Sequence, residues 1–231
     1  MPSPAATEHN PAAAAVEASA RLRITEIFHS LQGEARSAGL PTVFIRLTGC
    51  PLRCGYCDTE YAFTGGEWMT IGQILDRVRG YSTRHICVTG GEPLAQKNCL
   101  PLLRRLCEEG YEVSLETSGA LDIGAVDPRV ARVVDLKTPG SGESARNRLE
   151  NLALLTPHDQ LKFVLTGRED YEWACHMLRQ HRLPERCEVL FSPAYGALSP
   201  TQLAEWILAD RLPVRLQIQL HKLLWGERRG V

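Results

Sequence analysis

The chain has 231 residues, of which 44% are hydrophobic and 23% charged, enough for one well-buried α/β core. Its 26 basic and 27 acidic side chains leave a formal net charge of -1, which offers no broad field to a polyanion and argues against direct nucleic-acid binding. No apolar run approaches the roughly 20 residues that span a bilayer. Residues 1–20, rich in Ala, Pro and Ser without a basic start, read as a flexible N-terminal extension rather than a secretory leader.

Eight cysteines could form disulfides in a secreted protein, but Cys50, Cys54 and Cys57 cluster. The others (Cys87, Cys99, Cys107, Cys175 and Cys187) are scattered through apolar segments and read as packing residues. That usage suits a reducing cytoplasm, with one clustered metal site and several buried thiols.

Taken in chain order, Val43–Leu47 is rich in β-formers and leads into the cysteine loop. Thr70 caps a helix whose Ile71, Ile74, Leu75 and Val78 recur at helical spacing, with Gly80 as its stop. His85–Val88 reads as a strand ending at Thr89-Gly90-Gly91-Glu92-Pro93, and a helix covers about Leu100–Glu109. Strand-like runs follow at Glu112–Glu116, Arg132–Leu136, Leu161–Leu165, Cys187–Phe191 and Val214–Leu220. Helical patterns lie near Asn147–Leu155 and Tyr171–Gln180, and after the Ser199-Pro200 cap. Repeated strand–helix units require right-handed crossovers and a parallel sheet. The expected fold is therefore α/β, a partial, open (β/α) barrel of about six or seven mostly parallel strands, with its site at the strand C-terminal ends.

Cys50-Pro51-Leu52-Arg53-Cys54-Gly55-Tyr56-Cys57 has the spacing C-x3-C-x2-C. Such a loop can wrap three irons of a 4Fe–4S cubane and leave the fourth open to an amine and carboxylate chelate. Structural zinc is the competing reading; it wants four ligands, commonly in two close pairs, and only His29, His85 or a distant cysteine could complete it. Placement after a buried strand, with Gly90-Gly91-Glu92-Pro93 downstream, favours iron and sulfur.

The triplet with Tyr56 before its last cysteine, together with Gly90–Pro93, resembles the radical S-adenosylmethionine superfamily. Three further segments are similar to 7-carboxy-7-deazaguanine synthases: Ser30-Leu31-Gln32-Gly33-Glu34, Asp58-Thr59, and Gln219–Gly226. The likeness runs from about Ile24 to Val231, within a catalytic domain of residues 21–231. Ala35 stands where Gly is common, Ser118 where Asn is usual, and Leu220 where Thr is frequent.

The resemblance implies ring contraction of 6-carboxy-5,6,7,8-tetrahydropterin to 7-carboxy-7-deazaguanine with loss of ammonia, as in queuosine biosynthesis. It implies a 4Fe–4S cluster on Cys50, Cys54 and Cys57, with S-adenosylmethionine and Mg2+ as cofactors. No catalytic side chain is expected beyond the cluster and the cofactor-derived radical. Tyr56, Asp58, Gly91, Glu92, Glu116, Ser118 and Lys137 are candidates for binding S-adenosylmethionine. Leu31, Gln32, Gly33, Arg46, Thr89 and His221 are candidates for the pterin, and Thr59 for Mg2+. Arg46 alternates with Val43, Ile45 and Leu47, so its planar fork could grip the pterin carboxylate, whereas a surface salt bridge is the plainer reading. Gln32 can both donate to and accept from a pterin edge. A homodimer and a reductase or flavodoxin-type electron donor are implied in the same way. The competing functions are another radical S-adenosylmethionine reaction, such as glycyl-radical activation, and a zinc-stabilised interaction module.

Overall fold

In the computed structural model, which describes residues 19–231, the seven strands read from the sequence run parallel within one sheet. The expected extension, residues 1–20, lies outside the described residues apart from Ser19 and Ala20. The strands are β1 (Arg21–Leu31), β2 (Pro41–Leu47), β3 (Glu67–Thr70), β4 (His85–Gly90), β5 (Glu112–Thr117), β6 (Ala131–Asp135), β7 (Gln160–Leu165), β8 (Glu188–Pro193) and β9 (Arg215–Leu216). Their order is β3-β1-β2-β4-β5-β6-β7-β8-β9. Strand β2 pairs in parallel with β4, and the ladder continues in parallel to β9. Strand β1 is antiparallel to both β2 and β3. With β3 and β9 as its unpaired edges, the sheet is open, as the partial-barrel expectation requires.

The two strands that pattern reading misses are the antiparallel pair at one edge. In β1 a register shift between Ile24 and Glu26 breaks the alternation, so Leu22 and Ile24 are buried on one phase and Ile27 on the other. An added residue inverts the inside–outside rule on which period-two reading depends. Strand β3 is only four residues long.

Helices α1 (Ile71–Arg79), α2 (Cys99–Glu108), α3 (Arg168–His181) and α4 (Pro200–Ala209) press apolar stripes against the sheet. Ile74 and Val78, Leu102 and Leu106, Ala174 and Leu178, and Leu203 and Ile207 recur at helical spacing in the core. Thr70 and Gln73 form the reciprocal capping box that starts α1.

Two expectations are corrected. The helical pattern at Asn147–Leu155 is only a 3-10 segment, Leu149–Leu154. There the Asn151 amide turns inward to bond the carbonyls of Gly119 and Leu121 and the Ile123 N–H, so the segment answers to the loop after β5 instead of to its own helical ladder. The strand expected over Val214–Leu220 shrinks to Arg215–Leu216, and Leu220 instead begins a fifth helix, α5 (Leu220–Trp225). After Gln217 donates to the Phe191 carbonyl, its amide folds onto the Ile218 carbonyl and the Leu220 N–H bonds to Gly33 O, which ends pairing at the sheet edge.

The loop from Gln32 to Leu40 crosses beneath the open sheet. The Arg36 N–H donates to Gln160 at the start of β7, and the Arg36 guanidinium pairs with Glu188 at the start of β8. Ala35 is buried within this loop at φ 62°. A left-handed backbone explains why glycine suits that position, since a Cβ there costs roughly 1–2 kcal/mol. No helix among the described residues is long and apolar enough to cross a membrane.

Ala35→Gly should change stability by less than about 1 kcal/mol, because relief of strain is offset by backbone entropy and a lost buried methyl. Ala35→Val, β-branched at positive φ, should cost about 2 kcal/mol or more. Urea unfolding of both variants checks this, and equal tolerance of the two would contradict the left-handed assignment.

Candidate active site

Strand β2 delivers its last residue, Leu47, into a loop that opens at Gly49 with φ +98°. Leu52 anchors the loop in the core, while the Arg53 guanidinium donates to the carbonyls of Cys50 (2.8 Å) and Leu52 (2.6 Å) and stacks over Phe63. From the far side, Ser141 O accepts the Gly55 N–H at 3.0 Å and the Glu143 carboxylate accepts the Arg53 N–H at 2.6 Å. The thiols of Cys50, Cys54 and Cys57 are free, half-buried and face one cavity of about 520 Å³. Burial pushes all three thiols above their ordinary range, and the Lys137 ammonium works against that shift at each of them.

The Gly90–Pro93 turn packs directly onto this loop. Glu92 N–H donates to Gly49 O at 2.8 Å, and a Cβ on Gly91 would fall 1.9 Å from the same oxygen. Gly91 is thus required by the approach of the cysteine loop's own backbone. Glu92 is 0% exposed. Its carboxylate accepts the Thr117 hydroxyl at 2.9 Å, the Ser118 N–H at 2.7 Å, the Ser118 hydroxyl at 2.5 Å and the Leu94 N–H at 2.9 Å. It lies behind the cavity wall and fixes the residues that form it.

Opposite the thiols stands a second polar group. Arg46 Nε donates to Glu26 at 2.7 Å, and the Tyr61 hydroxyl donates to the same carboxylate oxygen at 2.8 Å. The pair is part-buried, unlike an exposed surface bridge, and its Arg46 lines the cavity. Gln32 Nε2 lies 3.4 Å from Glu116 Oε1, and the Thr89 hydroxyl donates to Glu116 Oε2 at 3.1 Å. Gln32 Oε1 accepts the Glu34 N–H at 3.2 Å, so the amide is oriented at both ends. His221 packs on Gly33 so closely that a Cβ there would come within 2.1 Å of its Nδ1. Asp58 accepts the Thr59 hydroxyl at 2.8 Å and lies 3.9 Å from Lys222 Nζ. Burial works against the Asp58 charge, yet the Thr59 hydroxyl and the Lys222 cation hold its carboxyl below its usual range.

One cavity therefore brings together three thiols, a cationic fork and an amide–carboxylate–hydroxyl set. A model of the Radical SAM superfamily matches residues 44–139, from β2 through the cysteine loop to just beyond Lys137. The 7-carboxy-7-deazaguanine synthase of Chlorobaculum tepidum is 46% identical over 92% of this chain and 98% of its own. That of Koribacter versatilis is 43% identical over 91% of this chain and its whole length. The crystal structure of QueE from Escherichia coli superposes with a TM-score of 0.71 at 27% identity, covering 87% of this chain and 95% of that one. The chain belongs to the 7-carboxy-7-deazaguanine synthase family.

Leu31, Gln32, Gly33, Arg46, Thr89 and His221 line the cavity, as do Cys50, Cys54, Tyr56, Cys57, Asp58, Thr59, Gly91, Glu116, Ser118 and Lys137. Glu92 alone among them does not line it. Glu116, a candidate for the cofactor, accepts the Thr89 hydroxyl and lies beside the Gln32 amide, both candidates for the pterin. Glu26, Glu34, Asp135, Lys162 and Gln219 were missed. Lys162 alternates with Leu161 and Phe163 in β7, a signal of the same kind as that of Arg46 in β2. Glu26, Glu34 and Gln219 pair only through the fold, across up to 185 residues of sequence, whereas Asp135 also bonds Lys137 two residues on.

Gly91→Ala should push the cysteine loop off its seat and lower iron content after anaerobic reconstitution by more than half, together with the melting temperature. Glu92→Gln replaces an acceptor with a donor among four donor groups and should cost about 2 kcal/mol. Iron analysis and thermal unfolding test both; a normally loaded, fully stable Gly91→Ala protein would contradict the packing argument.

Proposed function

We propose that residues 21–231 form one catalytic unit that converts 6-carboxy-5,6,7,8-tetrahydropterin into 7-carboxy-7-deazaguanine with release of one ammonia. The observation that carries this reading is the shared cavity, which the cysteine loop lines together with Gln32, Arg46, Thr89 and Glu116. Membership of the radical S-adenosylmethionine superfamily implies a 4Fe–4S cluster and S-adenosylmethionine. The residues fit that pair: Cys50, Cys54 and Cys57 are free, half-buried and line the cavity together from one loop. Three thiols on one loop suit a cluster with one open iron better than a structural zinc ion, which takes four ligands. When bound, this pair supplies reductive cleavage of a carbon–sulfur bond and a carbon-centred radical able to take hydrogen.

The protein's own contribution is binding and orientation. Cys50, Cys54 and Cys57 hold the cluster, and Lys137 offsets the negative charge that their ionisation brings. Tyr56, Asp58, Gly91, Ser118 and Lys137 form the cofactor's share of the wall, with Glu92 acting through Thr117 and Ser118. Glu116, Gln32 and Thr89 offer acceptors and donors to the amino-pyrimidinone edge of the pterin, alongside Leu31, Gly33 and His221. Arg46, already aligned by Glu26 and Tyr61, keeps guanidinium N–H groups for the substrate carboxylate. Thr59 has lone pairs for Mg2+ beside the Asp58 carboxylate, a hard-oxygen setting that suits that ion. The eight free cysteines support a reducing cytoplasm as the place of action. A homodimer and a reductase or flavodoxin-type electron donor complete the proposal on the family resemblance.

Anaerobically reconstituted protein given reductant, S-adenosylmethionine and the carboxytetrahydropterin should form the deazaguanine and ammonia in equal amounts, faster with Mg2+. Cys54→Ala should abolish turnover. Arg46→Lys should raise KM about tenfold through loss of the planar fork, equivalent to about 1.4 kcal/mol. Cofactor cleavage without any deazaguanine would favour a different radical reaction.

A further inference from the structure

Lining the cavity is a row of alternating charges, of which the proposed chemistry leaves Lys162, Glu34 and Asp135 unused. Lys162 Nζ is 2.7 Å from Glu34 Oε2 and 3.8 Å from Asp135 Oδ2, and Lys137 Nζ is 2.9 Å from that same Asp135 oxygen. The Lys162 and Glu34 side chains are only 12% and 11% exposed. The other Glu34 oxygen accepts Gln219 Nε2 at 3.0 Å, and the Glu34 N–H fixes Gln32 Oε1. Burial opposes the charge on Lys162, but Glu34 and Asp135 more than offset it and lift the ammonium well above its ordinary range. Burial likewise opposes the Glu34 charge, and Lys162 holds that carboxyl below its usual range. The pair is therefore ionised at neutral pH.

An ion pair this buried contributes little to stability relative to an apolar pair of equal volume, but removing one partner strands the other. Its distinctive property is geometric: it ties β7 to the loop that carries Gln32. Without the ammonium, Glu34 and Asp135 would share a floor with Glu116 and repel one another, and Glu34 would have reason to swing out and take Gln32 with it.

The geometry points to Lys162 as a positioning residue: held in β7, it acts through Glu34 to fix the Gln32–Leu40 loop and so sets the orientation of the Gln32 amide for substrate. This rests on the functional reading above only for the identity of the substrate. The loop itself can be observed without any ligand.

The test compares Lys162→Met, Glu34→Gln and the double variant as cluster-loaded proteins under anaerobic conditions. Hydrogen–deuterium exchange over residues 32–40 should quicken at least tenfold in each single variant, while β4 and β5 remain protected. Calorimetric Kd for the carboxytetrahydropterin should rise at least tenfold in both, with S-adenosylmethionine affinity within about threefold of the parent because Lys137 still faces Asp135. The double variant should be no worse than the poorer single, since both act along one connection. Normal loop exchange in a folded Lys162→Met protein would overturn the inference. So would additive losses, or a Glu34→Gln variant that binds the pterin normally, since either would mean that Lys162 touches substrate directly. Should Lys162→Met fail to fold, Glu34→Gln alone decides by the same exchange and affinity readings. A parent protein that does not bind the pterin would reject the functional reading and leave the exchange result to judge the loop.

Discussion

The Gly49 carbonyl meeting the Glu92 N–H, with no side chain on Gly91 to hold them apart, is the constraint on which the site depends. Parallel pairing of β2 with β4 brings the two loops to the same end of the sheet, but it does not by itself seat one on the other. The backbone contact does so. Glu92 extends it, since its buried carboxylate gathers the start of the loop after β5 through Thr117 and Ser118. Three strand ends thus share one set of hydrogen bonds, and the cysteine loop inherits the rigidity of the sheet. A site on loops becomes precise when each loop is tied to an element that cannot move.

Much of this was legible in the sequence because the parallel strands, β2 and β4 above all, announce themselves as short apolar runs. Val43–Leu47, His85–Val88 and Leu161–Leu165 needed no tertiary knowledge. The bulged β1 was opaque, because its alternation changes phase between Ile24 and Glu26. The short run after Pro213 misled for the opposite reason: it has β-forming residues, but its outer edge has no partner, and Gln217 turns the chain toward Gly33 instead. Propensity specifies what a segment tolerates, and the available partner decides what it does.

For the site, residue chemistry was readable and pairing was not. Cys50, Cys54 and Cys57, Arg46 and Gln32 carry their meaning in spacing, alternation or functional group. Glu92 carries it too, although the structure places its carboxylate behind the wall. Glu26 and Lys162 are ordinary charged residues until Tyr61 and Arg46, or Glu34 and Asp135, come to lie beside them. Charged residues in strands usually mark a solvated face. Here the open sheet curves around a cavity, so the polar face of β7 looks inward, and the local pattern is the same in either case.

The polar interior also carries a cost that suggests its purpose. Arg46, Lys137 and Lys162 with Glu34, Asp135 and Glu116 make the cavity wall a mosaic of ions where an ordinary core would be apolar, and Glu26 backs Arg46 from behind it. Each ion loses hydration, and the mutual attractions only roughly compensate that loss. The ligands proposed for it, a pterin with a carboxylate and a charged sulfonium cofactor, would present the complementary problem, because both must also be taken out of water. Ions already fixed in pairs can exchange part of their contacts with such ligands without first being dehydrated. Asp135 Oδ1 and the Tyr56 hydroxyl, both buried and without a partner among the described residues, fit that account: they are polar atoms on the cavity wall whose hydrogen bonds are still to be made.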